Sequence, residues 1–361
     1  MEIQNIDVDH LTVYEQTEIN NYDNVYYFAP DTVKIHATKN KFNNNHGYDE
    51  NSRYIYMKND HLNYRYQLLS KLGQGAFSDV FNCLDHKHNK EVVIKVIKNE
   101  NRFHRQVKKE IKILSDFDIT NQFVVQLHTW FTFRNHCCLV FQKYYIDMYG
   151  YISRLSNGLP SDQVKRYTYQ TLKALEYLDS INVIHCDLKP ENIMITDTSL
   201  RKIVIIDFGS SIIDNGDDKV HFYLQSRWYR APEVMLGFNR FDNKIDMWSL
   251  GCIIYEMVTT MALFRGKNVL DQLYRNFIFL GNPKVEFLKK CSSSKNYFNF
   301  TSDDDIEFTK ELYRYNNKPI IENLDAIINP KLKDLINLFL TWDPQERISI
   351  RNAFDHDFFD I

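Results

Sequence analysis

Apolar and polar positions alternate from Tyr64 through YRYQLLSKLGQGAFSDVFNCLD, around a glycine-rich break, so the spacing predicts a β-hairpin. EVVIKVIK reads as a further strand, and the unbroken apolar run CCLVFQ as a buried one. QVKKEIKILSDF sets Val107, Ile111 and Leu114 at helical spacing with charges between them. After these, VKRYTYQTLKALEYLDS predicts a long amphipathic helix, and DMWSLGCIIYEMVT and KLKDLINLFLTW predict more. A small strand-rich part followed by a large helix-rich part is an α+β, two-lobed pattern. The first 60 or so residues differ, being rich in Asn, Asp and Tyr. Residues 40–46 (NKFNNNH) read as a flexible loop. Tyr14, Tyr22, Tyr26, Tyr27 and Phe28 are too many aromatics for a solvated tail, so parts of this segment are expected to dock on the domain after it.

The 361 residues correspond to about two domains, or one large domain with an extension. With 44% hydrophobic and 25% charged residues the chain can bury a sizeable core. Its net charge of -3 argues against a general polyanion binder, so neither nucleic acid nor a membrane surface is expected as a partner. No apolar run approaches the roughly 18 residues of a membrane span. MEIQNIDVDH lacks an apolar signal core, so secretion is not expected. Cys83, Cys137, Cys138, Cys186, Cys252 and Cys291 form no C-x-x-C pair, which suggests neither a zinc ribbon nor a disulfide framework but free thiols in a reducing, intracellular setting. No repeat occurs at solenoid spacing.

The run Gly73-Gln74-Gly75-Ala76-Phe77-Ser78-Asp79-Val80 sits between two strand patterns. Small residues there let backbone N–H groups approach phosphates. A dinucleotide fold would need these glycines to open a helix; a strand follows instead. Lys95 ends an apolar strand and needs a counter-charge if buried, and Glu110 on the next helix can supply it. The strongest run is His185-Cys186-Asp187-Leu188-Lys189-Pro190-Glu191-Asn192, which matches H-x-D-L-x-x-x-N. Phosphoryl transfer needs a carboxylate to orient and accept the substrate hydroxyl proton, the role at Asp187. Lys189 can neutralise the transferring group, and Asn192 is an oxygen ligand for magnesium. Fifteen residues on come Asp207-Phe208-Gly209, where Asp207 would hold magnesium. Ala231-Pro232-Glu233, the helix opened by Asp246, and Arg347 as a buried partner of Glu233 read as structural.

In this order, these motifs resemble a eukaryotic protein kinase over about residues 65–358. The resemblance implies a bilobal fold, with a small N-lobe of five strands and one main helix, a helical C-lobe, and ATP in the cleft. It further implies Phe141 as gatekeeper, Gln142 to Tyr144 as the adenine hinge, Leu72, Val80 and Val93 around the base, and Asp147 at the ribose. His-Cys-Asp in the catalytic loop, the stretch Phe222 to Arg230 (FYLQSRWYR), and the stretch Gly47 to Tyr66 resemble the dual-specificity tyrosine-phosphorylation-regulated kinases, the DYRK family. Residues 11–19, 99–106 and 131–136 are similar to its class II members. The domains expected are an accessory segment at 1–64, an N-lobe with hinge at 65–144 and a C-lobe at 145–361.

That resemblance implies ATP and Mg2+ as cofactors and Ser/Thr-containing proteins as substrates. It implies activation by cis autophosphorylation of Tyr223, which would add about -1.5 to -2 charge; Arg227 and Arg230 follow as partners for the phosphate. The chain departs from the family at several places. His221 stands where a first tyrosine is usual, Gln142 for a hinge Glu, Val93 for Ala and Trp228 for Phe. Glu191 is an acidic candidate for an upstream substrate Arg, or a solvated carboxylate, and the insert between Gly281 and Pro330 is short and Lys/Asp-rich, so the family's docking partners are not carried over. A monomer in the cytoplasm, the nucleus or both is expected. Two alternatives are an inactive pseudokinase scaffold, against which Lys95, Asp187 and Asp207 stand, and a Cdc-like or SR-protein kinase, against which residues 47–66 and Tyr223 stand.

Overall fold

The computed structural model describes residues 7–38, 45–215, 224–238, 240–303, 305–309 and 329–360. Tyr223, His221, Phe222 and residues 40–44 lie outside the described residues. The chain divides into two compact units, Met1–Thr120 with Val125–Lys143, and Asn121–Val124 with Tyr144–Ile361.

The first unit is built on an antiparallel sheet. Its strands are β1 (His61–Leu62), β2 (Tyr66–Gln74), β3 (Ser78–Asp85), β4 (Lys90–Ile97), β5 (Leu127–Phe133) and β6 (His136–Gln142), in the order β1-β2-β3-β4-β6-β5. The kinase resemblance implied five strands; β1 adds a sixth, two residues long, pairing His61 with Gln67 and Leu62 with Tyr66. Buried Leu68, Phe81, Ile94 and Val140 fill the core. A helix, α2 (Asn101–Ser115), buries Val107, Glu110, Ile113 and Leu114. Ile111 is only half-buried, so the inward stripe runs through Ile113 instead.

The aromatic-rich N-terminal segment docks on this sheet. Its short helix α1 (Val13–Glu18) opens with a capping box: Thr12 accepts from the N–H of Glu15, and the Glu15 carboxylate accepts from the N–H of Thr12. Leu11, Ile19 and Val25 join the sheet core, with Tyr14, Tyr22 and Phe28 packed against it. Buried Arg134, at the β5–β6 turn, anchors the helix: its Nη2 lies 2.9 Å from Glu18 Oε2 and 3.3 Å from Glu15 Oε1. The guanidinium also sits 3.8 Å from the ring centre of Tyr48. Asn45, expected within a flexible loop, is buried, and its amide donates to Asp49 Oδ1 and to the carbonyl of Arg134.

In the second unit a three-stranded sheet orders β9 (Ile203–Ile205), β8 (Ile193–Ile195) and β7 (Ile146–Asp147). The helices α3 (Ser161–Ser180), α4 (Lys244–Thr259), α5 (Val269–Leu280) and α6 (Pro330–Phe339) carry most of the rest. α4 is buried from Ile245 through Met257, as a helix apolar all round requires. Gly251 lets α6 approach it; a Cβ there would stand 2.7 Å from that of Phe339. Among the described residues no helix is long and apolar enough to cross a membrane.

Candidate active site

In the first unit, the glycine-rich run forms the connection between β2 and β3, and a strand follows it. The N–H of Gly75 donates to the carbonyl of Ser78 (2.8 Å), closing the turn. A Cβ at Gly73 would meet nothing within 4 Å, so packing does not demand glycine there. Leu72, Gln74, Gly75 and Ala76 are exposed, Gly73, Phe77 and Val80 half-buried, and Ser78 buried. Sequence reasoning missed the brace on this turn. Arg53 donates to the carbonyls of Gly75 (2.7 Å) and Ser78 (3.3 Å) and pairs with Asp79 Oδ1 (3.1 Å). Its only signal was its place in the segment before β2.

Lys95 and Glu110 meet as expected. Lys95 Nζ is 2.7 Å from Glu110 Oε1, with both residues buried. Register places Val80 opposite Lys95, and Val93 opposite Phe141 on β6. Phe141 is half-buried and Gln142 exposed. In the second unit, burial pushes the Tyr144 phenol up to about 12. Asp147 pairs with Met194 across β7 and β8, and its Oδ1 accepts from the N–H of Gly150 (2.8 Å), capping the short helix that follows.

The residues of the H-x-D-L-x-x-x-N run converge on Asp187. Lys189 Nζ donates to its Oδ2 (2.8 Å), and Asn192 Nδ2 to its carbonyl (2.8 Å). Ser226 closes the other side: its N–H (2.9 Å) and hydroxyl (2.7 Å) both donate to Asp187 Oδ1, and Lys189 Nζ reaches the same hydroxyl at 3.2 Å. Ser226 was not among the expected catalytic residues, because 39 residues separate it from Asp187.

Buried neighbours hold this loop. Asp246, at the start of α4, accepts the N–H of His185 (2.7 Å) and of Cys186 (3.1 Å). Burial raises the Asp246 carboxyl to about 6, against the pull of His185 and the two N–H groups. Cys186 is sealed, with φ 62°, and burial pushes its thiol well up. The N–H of Ile206 donates to the carbonyl of Asn192 (2.9 Å), which sets Asp207 beside that residue. Asp207 has left-handed backbone (φ 64°), and the ring of Phe208 meets His185 edge-on at 5.0 Å.

The segment after residue 223 is clamped through Gln225. Its N–H donates to the carbonyl of Cys186 (2.9 Å), and its side chain bonds Ile245, Ser249 and Ala231. Arg230 is buried and donates to the carbonyls of Leu224 and Gln225 (both 2.7 Å), whereas Arg227 donates to that of Lys267 (2.6 Å). Arg347 meets Glu233 in a two-bond pair (2.6 and 2.8 Å), as expected.

A protein kinase domain model matches residues 66–359. The chain is 36% identical over 96% of its length to the dual specificity tyrosine-phosphorylation-regulated kinase 4 of Homo sapiens, covering 68% of that protein. The chain belongs to the DYRK family of protein kinases. It is also similar to the DYRK-family kinase pom1 of Schizosaccharomyces pombe (37% identical, 99% of this chain) and to the human dual specificity tyrosine-phosphorylation-regulated kinase 3 (40%, 80% of this chain). It spans 33% and 50% of those two relatives. A solved crystal structure of a kinase domain superposes with TM-score 0.76 at 27% identity, over 86% of this chain and all of that one. The kinase domain shared with these DYRKs is of the ATP-dependent Ser/Thr, dual-specificity class, and its α+β fold is that of the solved relative. Kinases of this family use ATP and magnesium and act on proteins.

Proposed function

We propose that this DYRK-family kinase transfers the ATP γ-phosphoryl group to Ser and Thr of protein substrates after autophosphorylating Tyr223 in cis. The observation that carries the reading is the convergence on Asp187. A carboxylate held by Ser226 and Lys189 is fixed in place to orient a substrate hydroxyl and accept its proton. Lys189, within reach of that carboxylate, supplies positive charge where the transferring group would carry negative charge. In the first unit the Lys95–Glu110 pair keeps a cation available for phosphate oxygens, and the exposed backbone N–H of Ala76 can donate to them, that of Gly75 being taken by Ser78.

The donor set fits a hard cation. Asp207 offers a carboxylate, and Asn192, its amide nitrogen committed to Asp187, offers an oxygen. These two would hold magnesium. Bound Mg-ATP supplies the transferable phosphoryl group and the screening charge. Leu72, Val80, Val93, Phe141 and Gln142 are the nucleotide contacts proposed for the first unit, and Tyr144 and Asp147 those proposed for the second.

We assign the domains as 1–64 accessory, 65–144 N-lobe with hinge and 145–361 C-lobe. The protein is proposed to act as an intracellular monomer, cytoplasmic or nuclear, without nucleic-acid or membrane partners.

The test is intact-mass and peptide mass spectrometry on protein made in bacteria. One phosphate on Tyr223 in wild type and none in Asp187→Asn would establish catalysis and tyrosine autophosphorylation by this chain. No phosphate on either, with Mg-ATP still bound, would overturn self-activation; no phosphate and no Mg-ATP binding would point to a scaffold.

A further inference from the structure

The outward side of α2 carries an unbalanced charge. Arg102, Arg105, Lys108, Lys109 and Lys112 are exposed, and at 100° per residue they fall within one arc of roughly 120°. The helix has a single acid, Glu110, and it is buried against Lys95. Among the described residues Arg102 is paired with Glu100 at 2.7 Å, while Arg105, Lys108, Lys109 and Lys112 have no carboxylate within ion-pair distance.

This pattern works against the helix. Residues 102/105, 105/108, 105/109, 108/112 and 109/112 are like-charge neighbours at i+3 or i+4, each destabilising by about 0.2–0.5 kcal/mol. A merely solvated face would gain by interleaving acids, and the chain as a whole has an excess of them, 47 Asp+Glu against 44 Lys+Arg. The remaining exposed positions of α2 are Asn101 and Ser115. The face thus offers no exposed aromatic for stacking a base and no exposed apolar side chain for entering a lipid interface.

We propose that the outer face of α2 is a docking surface for an acidic polypeptide segment of a partner protein. From Arg102 to Lys112 the face is ~15 Å long, which an extended segment of about five residues covers. Carboxylates at alternate positions of such a segment share one face and would meet the Arg105, Lys108, Lys109 and Lys112 cluster. The docking does not depend on catalysis, so it is read without turnover.

The probe is a fluorescein-labelled peptide of about eight glutamates, titrated with the full chain and followed by anisotropy. Saturable binding is expected, weakening as salt screens the charges. The Lys108→Glu/Lys109→Glu variant should bind about tenfold more weakly or worse, while melting no lower than wild type because four of the five repulsions are relieved. Should that variant fail to fold, Lys108→Ala/Lys109→Ala is expected to lose about threefold. Non-saturating binding, or equal affinity in wild type and variants, would overturn the proposal. So would tighter binding of a single-stranded RNA oligonucleotide of the same charge.

Discussion

Asp246 and His185 are 61 residues apart in sequence, yet the carboxylate of one accepts the backbone N–H of the other at 2.7 Å. The next N–H, that of Cys186, goes to the second carboxylate oxygen. One side chain thereby fixes the backbone that leads into Asp187.

Asp246→Asn retains one oxygen acceptor and turns an N–H2 toward the other amide. One buried N–H then loses its partner, at a cost of about 1–3 kcal/mol. Urea unfolding should register that loss, and peptide phosphorylation should fall with it. Unchanged stability would show that the second amide finds another acceptor.

Ser226 should behave as a positioning residue. Ser226→Ala keeps the backbone N–H to Asp187 but removes the hydroxyl shared with Lys189. A drop in kcat of about tenfold is expected, with Ser226→Thr restoring most of it. Asp187→Asn, by contrast, should cost about 10²–10⁴-fold, the range for losing a general base. Equal losses at the two positions would contradict this division of roles.

Arg134→Met leaves Glu15 and Glu18 without their guanidinium. Breaking a buried pair of this kind costs about 3–5 kcal/mol. Limited proteolysis should then cut within residues 7–38 faster than in wild type, with the sheet still protected. Uniform digestion of the chain would instead indicate global unfolding.

Burial alone would raise the Asp85 carboxyl, but bonds from Arg65 (2.7 and 2.8 Å), His88 and the N–H of Lys87 outweigh it and hold it at about 2, below the ordinary 3.8. A depressed acid stabilises the fold above its unfolded value, and that stability is lost as pH falls through the folded one. The stability advantage of wild type over Asp85→Asn should therefore be constant above about pH 5 and shrink between about pH 4 and 2. An advantage that does not change with pH would exclude the linkage.

The sequence made some of this site legible and hid the rest for a definable reason. Asp187, Lys189 and Asn192 lie within six residues, and Asp207 follows in a recognisable tripeptide, so local order carried their chemistry. Glu110 and Arg347 could be named as partners because each buried opposite charge needed one. Ser226 and Arg53 act through contacts 39 and 22–26 residues away, and neither residue type advertises a long-range role. The strand β1 was hidden because two residues are too few to show a period of two. Asn45 was misleading, since an Asn-rich stretch reads as solvated until its amide is seen bonded to Arg134.

The pairing of α1 with Arg134 also imposes an order on synthesis. Glu15 precedes Arg134 by 119 residues. At about 5–20 residues per second, the ribosome adds that arginine some 6–24 s after the glutamate. A six-residue helix does not hold its shape alone in water. During that interval Lys34 is present for Glu15, but the guanidinium that bridges Glu15 and Glu18 is not, and docking must be among the later events of the first unit's folding.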